Sequence, residues 1–239
     1  MKILITGGCS FSECHSTHTD TWPRHLARAL TDHTHISTGL GSQGNGLISR
    51  RIIHQVTEQL KHTSADKLLV GIMWSGPDRH DYFTEESIKF NLDNGWMENP
   101  TKFVQGSSGA WIILNQQWKI PQSKLYYSIY HSFIGHYVYT CEHVLRTQWF
   151  LKAHNVKYFM STYRNEVFAD VVKTHPETKY LYDQIDLSNF LPVAGEYEWC
   201  RDHSNLEFPM KEDRHPSSAQ HEAFTKRIII PFLRDKTYI

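Results

Sequence analysis

Cysteine is scarce in this chain, with four residues in 239 (Cys9, Cys14, Cys141 and Cys200) and no CxxC spacing among them. That excludes a small disulfide-stapled domain, and the thiols read as reduced. An excess of one charge is also missing, because 25 basic residues balance 25 acidic ones. With no net field to draw it to them, neither nucleic acid nor an anionic membrane is expected as a partner. Long apolar runs are absent too: the opening one stops at Ile5, and nothing approaches the roughly 18 apolar residues of a membrane span. No signal peptide or transmembrane segment is therefore expected. The simplest location is a reducing cytoplasm, that of the host if the protein is viral. Internal repeats, low-complexity tracts, an HExxH motif and a Walker loop are lacking as well. Histidine, by contrast, is plentiful at 16 residues, which makes the molecule cationic below about pH 6.5.

The pattern along the chain is that of alternating strands and helices. Residues 2–6 predict a buried strand, 20–30 a helix opened near Pro23, and His35-Ile36-Ser37 a short strand. A glycine loop, Gly39 to Gly46, precedes a helix whose face carries Leu47, Ile48, Ile52, Ile53, Val56 and Leu60. Residues 67–74 form a nearly continuous apolar run of the kind found in a parallel strand covered on both faces. One long helix is expected over 126–154, a strand over 156–161, and a last helix from Ser217 to Phe232. These elements predict an α/β fold: a single domain over 1–239, a three-layer α/β/α sandwich with a mostly parallel central sheet. An aromatic-rich insertion at about 80–125 interrupts it, and Trp96, Trp111 and Trp118 fall there, with Tyr126, Tyr127 and Tyr130 just beyond.

Chemistry is concentrated at the two ends. Gly7-Gly8-Cys9-Ser10 follows the first strand, so a serine hydroxyl stands at a strand's carboxyl end, where open α/β sheets place reactive groups. Glu212-Asp213-Arg214-His215-Pro216 supplies an imidazole and two acids near the other terminus. A serine attacks an acyl carbon only if a base takes its proton and donors await the oxyanion. Ser10 as nucleophile, His215 as base and Asp213 or Glu212 as the orienting acid fill those roles. Backbone N–H groups near Ser10 and in the glycine loop, and the Asn45 amide, are the candidate oxyanion donors. Asp78 and Arg79, just past the third strand, either pair with each other or reach substrate. Taken alone, the glycine loop reads equally as a phosphate-binding turn. His15, His18, His33 and His35 are spaced closely enough for a metal, but no ligand frame supports one and none is expected.

These segments together resemble the SGNH or GDSL hydrolase superfamily, flavodoxin-like in architecture. Gly8-Cys9-Ser10-Phe11-Ser12 is similar to its first block, with Cys9 where aspartate is usual. Gly39 to Asn45 is similar to the second, whose glycine gives an oxyanion N–H and would be Gly44 here. Val70 to Arg79 takes the third place and Asp213-Arg214-His215-Pro216 the fifth. The third block departs from the family's Gly-x-Asn-Asp, leaving Ser75 or a main-chain N–H as the donor there. Losing one such donor typically costs about 10²- to 10³-fold in rate. In this variant form, Gly-Cys-Ser-Phe with Trp-Ser-Gly and Asp-x-His-Pro, the chain resembles a subgroup from tailed bacteriophages and environmental sequences. The resemblance implies a serine hydrolase that cleaves a carboxylic ester, carbohydrate O-acetyl esters among the candidates, without a cofactor. Its substrate would be a small molecule or a glycan ester. The competing expectation is an SGNH-fold binding or virion-associated module whose oxyanion machinery is depleted.

Overall fold

The computed structural model describes residues 2–14, 20–84, 110–116, 121–203, 205 and 214–239. Four parallel strands form its centre: β1 (Lys2–Gly7), β2 (His33–Ser37), β3 (Leu68–Trp74) and β6 (Lys157–Thr162), in the order β2-β1-β3-β6. Ile3 pairs with Leu68 and Val70 with Tyr158. Every residue of β3 is buried, so its sequence has no polar face to show. The edge strand β2, His-Thr-His-Ile-Ser, is only partly covered and correspondingly polar.

Handedness fixes the layers. The step from β1 to β2 runs one way across the sheet, whereas β2 to β3 and β3 to β6 run the other way. Right-handed crossovers then put α1 (Trp22–Ala29) on one face and both α2 (Asn45–Leu60) and α4 (Phe133–Ala153) on the opposite face. Three short helices follow β6: α5 (Asp170–Thr174), α6 (Pro176–Tyr182) and α7 (Glu196–His203). The packing agrees with the layers, with α2 against α4 and α1 against α8 (Ser218–Phe224). The result is the three-layer α/β/α sandwich that the strand pattern predicts. Trp22 meets Phe159 edge to face at 5.8 Å within a core that also holds Trp74 and Phe224. Each such ring contributes roughly 1.5–3 kcal/mol through burial. The direction of strand order reverses between β1 and β3, which opens a crevice at their carboxyl ends.

Helix boundaries depart from the sequence pattern in three places. The single helix expected over 126–154 is instead α3 (Pro121–Leu125), a π-turn over Tyr126–Tyr130, a break at His131 and Ser132, and then α4. Ser132 is extended and its Oγ accepts from Gly135 N at 3.0 Å, so it caps a new helix. The last helix is likewise split, into α8, a π-turn over Thr225–Ile229 and α9 (Ile230–Asp235). Pro231 lacks an N–H and its ring would collide with the carbonyl four residues back, which the wider turn relieves. Finally, the glycine loop ends at Gly44, so Asn45 and Gly46 are already helical.

Of the insertion, β4 (His80–Thr84) and β5 (Ala110–Leu114) form an antiparallel pair. Trp96 and Trp118 lie outside the described residues. Among the described residues no helix is long and apolar enough to cross a membrane. All four cysteines are buried, and none is in a disulfide.

Candidate active site

After β1 the chain enters one 3-10 turn, Ser10–Ser12, held from several sides. Trp22 Nε1 donates to the buried Ser12 Oγ at 2.8 Å, and Leu40 N donates to the Gly8 carbonyl at 3.1 Å. Gln43 Nε2 donates to the Gly8 and Thr38 carbonyls. Gly39 passes so close that a Cβ built on it would overlap the Ser12 carbonyl oxygen. Only glycine permits that approach.

His215 arrives from the far end of the chain. Arg214 before it has φ 55°, in the left-handed region, a conformation that costs a non-glycine residue about 1 kcal/mol and recurs at functional sites. Pro216 is buried, and Ser217 opens α8 with a reciprocal capping box to Gln220. The helix start therefore fixes where His215 can point. Its Nε2 stands 2.8 Å from Ser10 Oγ, joining residues 205 positions apart. Its ring leans on Phe11 with centroids 5.0 Å apart. With Nε2 at the hydroxyl, Nδ1 is the atom an orienting acid must reach. Both candidates for that acid, Asp213 and Glu212, lie outside the described residues.

The second and third blocks meet each other rather than the cleft. The Asn45 side chain is buried; its Nδ2 donates to Ser75 O and Thr140 Oγ1, each at 3.1 Å, while its Oδ1 accepts from Ser75 N at 2.8 Å. Ser75 Oγ accepts from Arg79 Nη1 at 2.6 Å. The Asn45 amide hydrogens and the Ser75 N–H, both expected as candidate donors to substrate, are here taken up in a latch between α2 and the end of β3. Gly44 N donates to Asp81 Oδ1 at 3.0 Å, and Leu47 N donates to Oδ2 at 2.9 Å. Asp81 thus caps α2, and burial pushes its carboxyl up to about 6 despite those two N–H groups.

Asp78 and Arg79 do line the cleft. A cavity of about 500 Å³ opens beside His215 and Phe11, bordered also by Arg164, Glu166 and Arg214. Burial raises the Asp78 carboxyl, with Arg79 working against the rise. A second cavity, about 740 Å³, lies over the end of β6 among Phe168, Tyr182 and Phe190, and neither Ser10 nor His215 borders it.

Among the described residues no group of three or more His, Cys, Asp or Glu side chains could hold a metal. His35 Nε2 lies 2.8 Å from Thr6 Oγ1, and His33 Nδ1 lies 2.7 Å from Asp32. His15 and His18 lie outside the described residues. No motif in the sequence points to a second histidine–acid pair, His221 Nδ1 and Glu196 Oε1 at 2.7 Å. Burial raises the Glu196 carboxyl, opposed by His221. The His221 ring stands edge to face with Phe11, centroids 6.2 Å apart, so the pair lies near the turn that carries Ser10.

The crystal structure of TesA superposes with a TM-score of 0.53 and 12% identity, covering 100% of both chains. At that identity the likeness is one of fold. The Bacillus subtilis protein YxiM gives a TM-score of 0.49 and 13% identity over 99% of this chain and 57% of its own. No curated protein matches. Residues 9–239 match the family model DUF6071, described as a family of unknown function.

Proposed function

The chain belongs to the family of unknown function DUF6071, and we propose that it is an SGNH-like serine hydrolase cleaving a carboxylic ester through an acyl-Ser10 intermediate. Carbohydrate O-acetyl esters are the leading candidates. The 2.8 Å contact between Ser10 Oγ and His215 Nε2, which joins residues 205 positions apart in the chain, carries this reading.

In the first half of the reaction Ser10 Oγ bonds to the acyl carbon and its proton passes to His215 Nε2. The tetrahedral intermediate collapses as that proton goes to the departing alcohol oxygen. In the second half a water gives its proton to His215 and its oxygen to the acyl carbon. Ser10 recovers a proton as the carboxylic acid leaves. Asp213, or Glu212, fixes the imidazole tautomer through Nδ1. The Ser10 N–H opens a 3-10 turn, where backbone donors have no partner within the turn, and it is the first oxyanion donor. The second is Arg79, in the loop that follows β3, which lines the cavity beside His215. Gly44, Asn45 and Ser75 hold the frame behind them.

p-Nitrophenyl acetate hydrolysis by the intact protein, Ser10→Ala and His215→Ala tests this. Losses of at least about 10³-fold are expected in both variants. Equal rates in all three proteins would remove Ser10 as the nucleophile. One observation favours a binding module instead: the Gly44, Asn45 and Ser75 donors are all engaged within the protein. Failure of a fluorophosphonate to label Ser10, together with tight glycan binding, would support that second reading.

A further inference from the structure

We infer that the substrate carries a carboxylate, held by Arg164 at the rim of the cleft with Arg214 beside it; the inference rests on the hydrolase reading and names its substrate class. Three guanidinium groups, Arg79, Arg164 and Arg214, border the 500 Å³ cavity beside His215, against the carboxyls of Asp78 and Glu166. Burial favours the protonated form of Asp78, and Glu166 accepts the hydroxyl hydrogen of Tyr163. Counting the described lining alone, three arginines face two carboxyls, an excess of positive charge in a protein with no net charge.

Arg164 is built to receive an anion. Its guanidinium lies over the ring of Tyr197 at 4.5 Å and over that of Tyr163 at 5.5 Å, which fixes its plane. No ion pair engages it among the described residues, and its Nε is buried without a hydrogen-bond partner. That Nε is closed to solvent, so a carboxylate would meet the half-buried guanidinium through the fork of its two Nη groups, with charge-assisted bonds. Lysine could not reproduce that fork. Arg214, in its left-handed conformation one residue before His215, adds a second, exposed cation at the same mouth.

Matched ester pairs test the assignment. On the acyl side, p-nitrophenyl hydrogen glutarate is compared with its methyl ester. On the alcohol side, 4-acetoxybenzoate is compared with its methyl ester. The intact protein should favour the carboxylate member of one pair by about tenfold or more in kcat/KM. Arg164→Gln should bring that ratio close to one, and Arg164→Lys should leave it in between. The same pairs are titrated into Ser10→Ala by calorimetry. Selective binding of the carboxylate member without any turnover by the intact protein would keep this inference and remove the hydrolase reading. Ser10-dependent turnover with ratios within threefold in both pairs would keep the hydrolase and overturn the inference. Absence of selectivity in both turnover and binding would overturn it as well.

Discussion

Replacing Asp81 by asparagine isolates one buried titration. The carboxyl moves from the ordinary 3.8 up to about 6 because burial outweighs the N–H groups of Gly44 and Leu47 and the nearby arginines. The folded chain thus binds a proton more tightly here than the unfolded chain does. The resulting stabilisation is complete below the unfolded value and is lost as pH rises through the folded value. Integrating between about pH 4.5 and about pH 7.5, wild type loses roughly 2 kcal/mol from this group alone. The amide in Asp81→Asn cannot titrate, and other groups cancel in the difference as long as they do not couple to position 81. Urea unfolding of both proteins across that range gives the difference curve. It should fall by roughly 2 kcal/mol with rising pH, whatever its absolute height. Parallel stability curves, or a difference that grows with pH, would refute the claim that Asp81 is desolvated in the cap of α2.

Other perturbations probe the frame around Ser10. Gly39→Ala forces a Cβ onto the Ser12 carbonyl, so thermal unfolding should show a loss of about 1–3 kcal/mol together with reduced esterase activity; wild-type values for both would contradict the packing described. His221→Ala strips the buried Glu196 of its 2.7 Å partner and should cost about 3–5 kcal/mol, read as a Tm drop of roughly 10 °C. A change under about 2 °C would mean the pair is not holding the turn that carries Ser10. Asn45→Ala breaks the latch to Ser75 and should destabilise by about 1–3 kcal/mol at equilibrium; an unchanged urea midpoint would argue against it.

The parts of the fold legible in sequence are those with a local cause. β3 is a continuous apolar run because both of its faces are covered, and Ser10 stands out because it follows two glycines where the apolar run of β1 breaks off. The break before α4 is hidden because the apolar spacing continues through His131 and Ser132, while the cap depends on one hydroxyl reaching Gly135. Pro231 falls inside a continuous apolar pattern that reads as helix, although its missing N–H explains the π-turn preceding it. Asp81 and Glu196 leave no sequence signal, because their partners are 37 and 25 positions away and meet them only in the folded state. The same is true of the Asn45–Ser75 latch, whose two residues lie 30 positions apart and meet only in the folded state.

The most direct test of the central claim is where a fluorophosphonate attaches. Intact mass followed by peptide mapping should find one adduct on Ser10, abolished in His215→Ala. Labelling confined to another residue, or a Ser10 adduct formed equally fast without His215, would contradict it.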